Sequence, residues 1–104
     1  MLDATPLTDE VDLLADRLRA MPQSALLRGA AAEAHGLAAE LARRAQLLEF
    51  PGRDPRPLPE AGPFAAGDQL SVAGHDLAVA LADSGTREQL TEVLRLVTEV
   101  GAKL

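Results

Sequence analysis

Two histidines are the residues of this chain most capable of chemistry. They stand in similar settings, Ala34-His35-Gly36-Leu37 and Gly74-His75-Asp76-Leu77. Imidazole can ligate a metal, accept a proton or carry a phosphoryl group. A carboxylate-bridged metal centre in a helical bundle needs Glu-x-x-His on facing helices. The residues three before each histidine are Ala32 and Val72, and Glu33, two before His35, points elsewhere. Asp68 and Ser71 share a helical face with His75, which makes one sparse set of oxygen donors. The spacing therefore predicts no metal site and no bound cofactor. Both histidines read as surface or boundary side chains.

The other histidine chemistry is phosphotransfer. The segments His35-Gly36-Leu37-Ala38-Ala39 and His75-Asp76-Leu77-Ala78-Val79 each carry His-x-Leu. This resembles the His-x-Leu-Lys-Gly motif of histidine phosphotransfer domains, which are four-helix bundles of about this size. The resemblance covers only a few residues, and Ala or Val stands at the Lys and Gly positions. It implies a phosphoryl-carrying His35 rather than His75, because Asp76 would repel phosphate. This is the enzyme-like alternative, with His35 as its catalytic residue.

Other catalytic patterns are missing. Ser24, Ser71 and Ser84 lie outside any Gly-x-Ser-x-Gly elbow. Ser71 and His75 share i,i+4 spacing, which is common by chance. Phosphate-binding glycine motifs are absent, and the carboxylates are spread along solvent faces. Arg56-Pro57-Leu58-Pro59 begins like a ligand for SH3-type domains, but its next proline, Pro63, falls one residue late. That segment reads as a stiff connector.

Positioning any such residue falls to helices. The 104 residues fit one domain. Phe50 and Phe64 are the only aromatics, so Leu, Val and Ala must fill the core. Alanine adds little buried area but lets helix axes approach closely. Net charge is −6, with eight acids and five bases in each half. Neither a basic stripe nor a basic tail exists, which disfavours nucleic acid and anionic membranes as partners. Zero cysteines exclude disulfides and thiolate chemistry. With no signal-peptide pattern and no run of roughly 20 apolar residues, a cytoplasmic location is expected. Nine of the ten basic residues are arginine; a high-GC genome produces the same bias, so it carries no functional weight.

Four apolar stripes have helical spacing. The first helix runs from about Thr8 to Met21 on Leu7, Val11, Leu14 and Leu18, with Asp9, Glu10 and Asp12 in its first turn. Pro22 ends it. The second runs from Gln23 or Ser24, with Ser24 as N-cap, to Glu49; its stripe is Leu27, Ala30, Ala34, Leu37, Leu41, Ala45 and Leu48. Gly29 and Gly36 are expected to allow close contact with a neighbour. Residues 51–63 hold five of the seven prolines. At about 3.1 Å per residue this stretch could cover roughly 40 Å, enough for an overhand crossover. The third helix, from Ala65 or Asp68 to Asp83, presents Ala66, Leu70, Ala73, Leu77, Ala80 and Leu81. The fourth opens with a capping box at Thr86-Arg87-Glu88-Gln89 and presents Leu90, Val93, Val97, Val100 and Leu104. Glu40–Arg44, Arg95–Glu99 and Glu99–Lys103 are spaced as surface ion pairs.

The expected fold is an all-α four-helix bundle made of two helical hairpins, about 8–49 and 65–103, joined by a proline-rich crossover at 51–63. Leu14, Leu37, Leu41, Leu77, Leu90 and Val97 are its expected core. By composition and general run, the chain resembles small helical proteins of high-GC actinobacteria, and that resemblance implies no activity. It lacks the Trp-x-Gly turn of the secreted actinobacterial hairpin proteins. The function expected is non-enzymatic protein–protein association, as a homodimer or an adaptor. A small-molecule-binding bundle is a further alternative. Leu26, Leu47, Leu94 and Leu96, surplus to the stripes, are the expected interface.

Overall fold

The structure, a computed structural model, describes residues 2–104. It is all-α, with no strand among those residues. Helix α1 spans Thr5–Ala20, and a single turn α2 spans Gln23–Ala25. A wide π-type turn (Leu26–Ala30) leads into α3 (Ala31–Glu49). After the proline-rich linker, a short 3-10 turn (Pro63–Ala65) opens α4 (Ala66–Ser84), and α5 covers Arg87–Lys103. No described helix is long and apolar enough to cross a membrane.

α1 begins earlier than expected. The Asp3 carboxylate accepts the Thr5 backbone N–H at 3.0 Å, and Pro6 occupies the first turn, where its missing N–H costs nothing. Asp9, Glu10 and Asp12 therefore lie beyond the first turn, which holds no acid. Met21 is extended ahead of Pro22, as the proline requires. Ser24 makes no side-chain cap; Pro22 precedes the α2 turn, and the Ser24 carbonyl accepts from Arg28 instead. At the other end of the chain, the Thr86–Gln89 capping box is complete. Each side chain binds the other residue's backbone N–H.

Gly29 breaks the second helical segment. Its φ of 153° is far from helical, and only glycine adopts such a backbone readily. The π-type turn holds an extra residue, so positions before it shift in phase by one. Leu26 is consequently buried at 7% exposure and Leu27 stands out at 65%, the reverse of the simple periodic expectation. Neither Gly29 nor Gly36 touches a neighbour, because a Cβ on either would meet nothing within 4 Å. The close approaches belong to Gly67 and Gly74 on α4, which abut Ala15 and Val11 of α1.

The core is entirely apolar: none of the described buried residues is polar or charged. Leu14, Leu37, Leu41, Leu77, Leu90 and Val97 are all in it. So are the stripe residues of α4 and, apart from the partly buried Leu104, those of α5.

Helix directions follow from pairings between elements. Asp12 meets His75 and Arg19 meets Asp68, so α1 and α4 are antiparallel. His35 meets Gln69, near the starts of α3 and α4, so that pair is parallel. Arg44 pairs with Glu92, which sets α5 antiparallel to α3. The linker must then return along α3, about 28 Å for its 19 residues. This is a single overhand crossover. The most extensive packing is between α3 and α4, and the next most extensive between α1 and α4. Tight packing thus runs across the linker and between halves, not within two separate hairpins. Buried alanines on both members, Ala31, Ala34 and Ala38 with Ala66, Ala73 and Ala80, permit it.

Two glutamines hold the linker down. The Gln46 amide donates to the Arg56 carbonyl at 3.1 Å and accepts the Arg56 N–H at 2.8 Å. Gln69 donates to the Pro59 carbonyl at 2.7 Å. Leu58 between them packs on the core. At the linker's start, the Arg53 guanidinium lies 5.3 Å from the Phe50 ring centre.

Candidate functional site

His35 is partly buried near the start of α3. Its Nδ1 lies 3.1 Å from the Gln69 Oε1 on α4. It lines an open groove of about 230 Å³, whose walls are the Gly29 kink (Leu26, Leu27) and the end of the linker (Glu60, Gly62, Pro63). Sequence spacing could not reveal the Gln69 contact, since the two residues are 34 positions apart. No lysine or arginine lines the groove. The cation that would steady a phosphoryl group at His35 is missing there, and Glu60 supplies a negative charge instead.

His75 is exposed on α4, with its Nε2 2.8 Å from the Asp12 carboxylate of α1. Asp68 and Ser71, which share its helical face, do not join it. Asp68 instead takes two bonds from Arg19, at 2.9 and 3.1 Å, and Arg19 also binds Asp16. No group of three metal-ligating side chains occurs among the described residues. The two histidines lie in separate settings and form no joint site.

The strongest charge cluster is on α3. Glu40 receives Arg43 at 2.8–2.9 Å and Arg44 at 2.7 Å, and Arg44 reaches on to Glu92 of α5 at 3.4 Å. Arg43 foremost, then Arg44, holds the Glu40 carboxyl down from 4.5 to about 2, against the opposing effect of partial burial. The cluster joins α3 to α5. Arg95–Glu99 and Glu99–Lys103 are not among the ion pairs of the described residues.

The four surplus leucines do not form a common surface. Leu26 is buried in the core, and Leu94 and Leu96 pack partly against it; only Leu47 is exposed, and marginally. Leu26 is turned inward by the Gly29 kink. The exposed apolar side chains are others. Val72 and Val79 stand on the outward face of α4 at 63% and 69% exposure, seven residues apart and thus above one another. Asp76, also exposed, lies between them, and Asp68 and Asp83 continue the row. Sequence reading missed this second stripe, although its 68-72-76-79-83 spacing was there to be found. Leu13, Leu27 and Phe64 are the other prominent exposed hydrophobics.

The chain matches no protein-family model, no curated protein and no solved structure.

Proposed function

We propose that the protein is a non-enzymatic helical association module that docks a partner on the outward face of α4. The observation carrying this reading is the row Asp68-Val72-Asp76-Val79-Asp83. Its two valines remain exposed although the four-helix core is already closed. A closed core leaves them no role within the monomer. With Asp68 already paired to Arg19, Asp76 and Asp83, unpaired among the described residues, specify the chemistry of the occupant. An amphipathic helix with apolar residues one heptad apart and Lys or Arg between them would cover both valines and neutralise Asp76. A second copy fits less well, because a two-fold axis across this face would set Asp76 against its own equivalent. The reading is therefore an adaptor with a separate, basic-apolar partner.

The test uses a labelled synthetic amphipathic helix of that pattern, with a charge-inverted peptide as control. Fluorescence anisotropy should show saturable binding of the basic peptide only, lost in the double substitution Val72→Lys and Val79→Lys. Equal binding to that variant, or no binding, would contradict the proposal. Light scattering of the protein alone should give a monomer mass on dilution. A dimer abolished by the same variant would make the occupant a second copy.

A further inference from the structure

We propose that the groove beside the Gly29 kink binds a small aliphatic amine, held by the His35 imidazole and the Glu60 carboxylate. This site is separate from the α4 face and goes beyond association.

Pro59 orients the Gln69 amide. The proline carbonyl oxygen can only accept a hydrogen bond, so the Gln69 group 2.7 Å away must be the amide NH₂. The Gln69 Oε1 is thereby fixed towards His35 Nδ1, at 3.1 Å. An amide oxygen is only an acceptor, so Nδ1 must carry the hydrogen. In the neutral ring the lone pair is then on Nε2. That atom has no hydrogen-bond partner among the described residues. The relay Pro59–Gln69–His35 thus sets both the tautomer and the ring orientation of a side chain that lines the groove.

The groove is built by two unusual backbone positions. Gly29 and Gly62 are the two positive-φ residues among those described, at 153° and 88°, and both line it. One bends the helical wall and the other bends the linker wall. A Cβ on either would meet no atom within 4 Å, so the space beside them is open.

The lining then selects the ligand. The ionisable residues lining the groove are His35 and Glu60. In its neutral form the His35 ring offers a lone pair and Glu60 can offer an anion, so both favour a donor. An anionic ligand would be repelled by Glu60, and a wholly apolar one would leave Nε2 desolvated and unpaired. An ammonium group forms charge-assisted bonds to these acceptors. A short alkyl chain covers Leu26, Leu27 and Pro63, removing the exposed Leu27 from water.

Butylammonium is the probe, with butyrate and butanol as comparisons, in mildly alkaline buffer. The two histidine rings are read by NMR and assigned with His75→Ala. Saturable shifts are expected at His35 and not at His75. Affinity should fall about tenfold in Glu60→Gln, a loss equivalent to one charge-assisted bond. Butyrate should produce no saturable shift. Ring nitrogen shifts of the free protein should show the Nδ1–H form at His35, and Gln69→Leu should abolish that preference. Absence of saturation with butylammonium, an equal response to butyrate, or unchanged affinity in Glu60→Gln would each overturn the proposal.

Discussion

Val11 of α1 lies so close to Gly74 of α4 that a Cβ on the glycine would stand 2.5 Å from one valine methyl and 2.7 Å from the other. The contact explains how the antiparallel pair packs tightly at this level. Gly74→Ala must displace Val11, and overpacking of this kind costs about 1–3 kcal/mol. Gly36→Ala makes the opposite case: it lies within α3, where a Cβ meets nothing. It should stabilise by roughly 0.5–1 kcal/mol. Urea denaturation of the two variants should move the midpoint in opposite directions.

The same pair of glycines shows where sequence reading reaches and where it stops. Periodicity identified the inward stripes of α4 and α5 and the six expected core residues, because a 3.6-residue repeat directly encodes which side chains share a face. It placed Leu27 inside and Leu26 outside because nothing in a repeat announces a one-residue shift at Gly29. Glycine content suggested close packing at Gly29 and Gly36, whereas Gly67 and Gly74 do that work; only the partner helix distinguishes them. The linker's length allowed a crossover, but the parallel direction of α3 and α4 rests on the His35–Gln69 and linker contacts. Those are tertiary and leave no local signature.

Glu40 makes stability depend on pH at the acid end. Its carboxyl is held near 2 in the folded protein, against 4.5 ordinarily. Ionised Glu40 therefore favours the folded state fully above about pH 4.5. That contribution is lost as the pH falls through the window down to about 2. Glu40→Gln should flatten this part of the stability–pH curve and leave the fold intact at neutral pH. Chemical denaturation at stepped pH is the check.

Gln46 is the clearest linker clamp. Gln46→Ala removes both bonds to the Arg56 backbone, each worth about 0.5–1.5 kcal/mol net. Global stability should drop modestly, since both groups regain water. The Arg56 amide itself should exchange with solvent much faster. Hydrogen exchange followed by NMR at that amide separates this local release from general unfolding.

Thr86 anchors α5 through a full capping box. Thr86→Ala should cost about 1 kcal/mol. Leu41→Ala, in the fully buried centre of α3, should cost about 2–5 kcal/mol. Thermal or urea unfolding would rank them, with Leu41 the larger loss.

Association through α4 is most directly tested by mapping where a partner lands. Amide spectra of the protein would be recorded during titration with the basic amphipathic peptide. The account predicts saturable changes concentrated around Val72, Asp76, Val79 and Asp83, with the exposed α5 residues Thr91 and Arg95 unmoved. Changes centred on α5, or none that saturate, would contradict it.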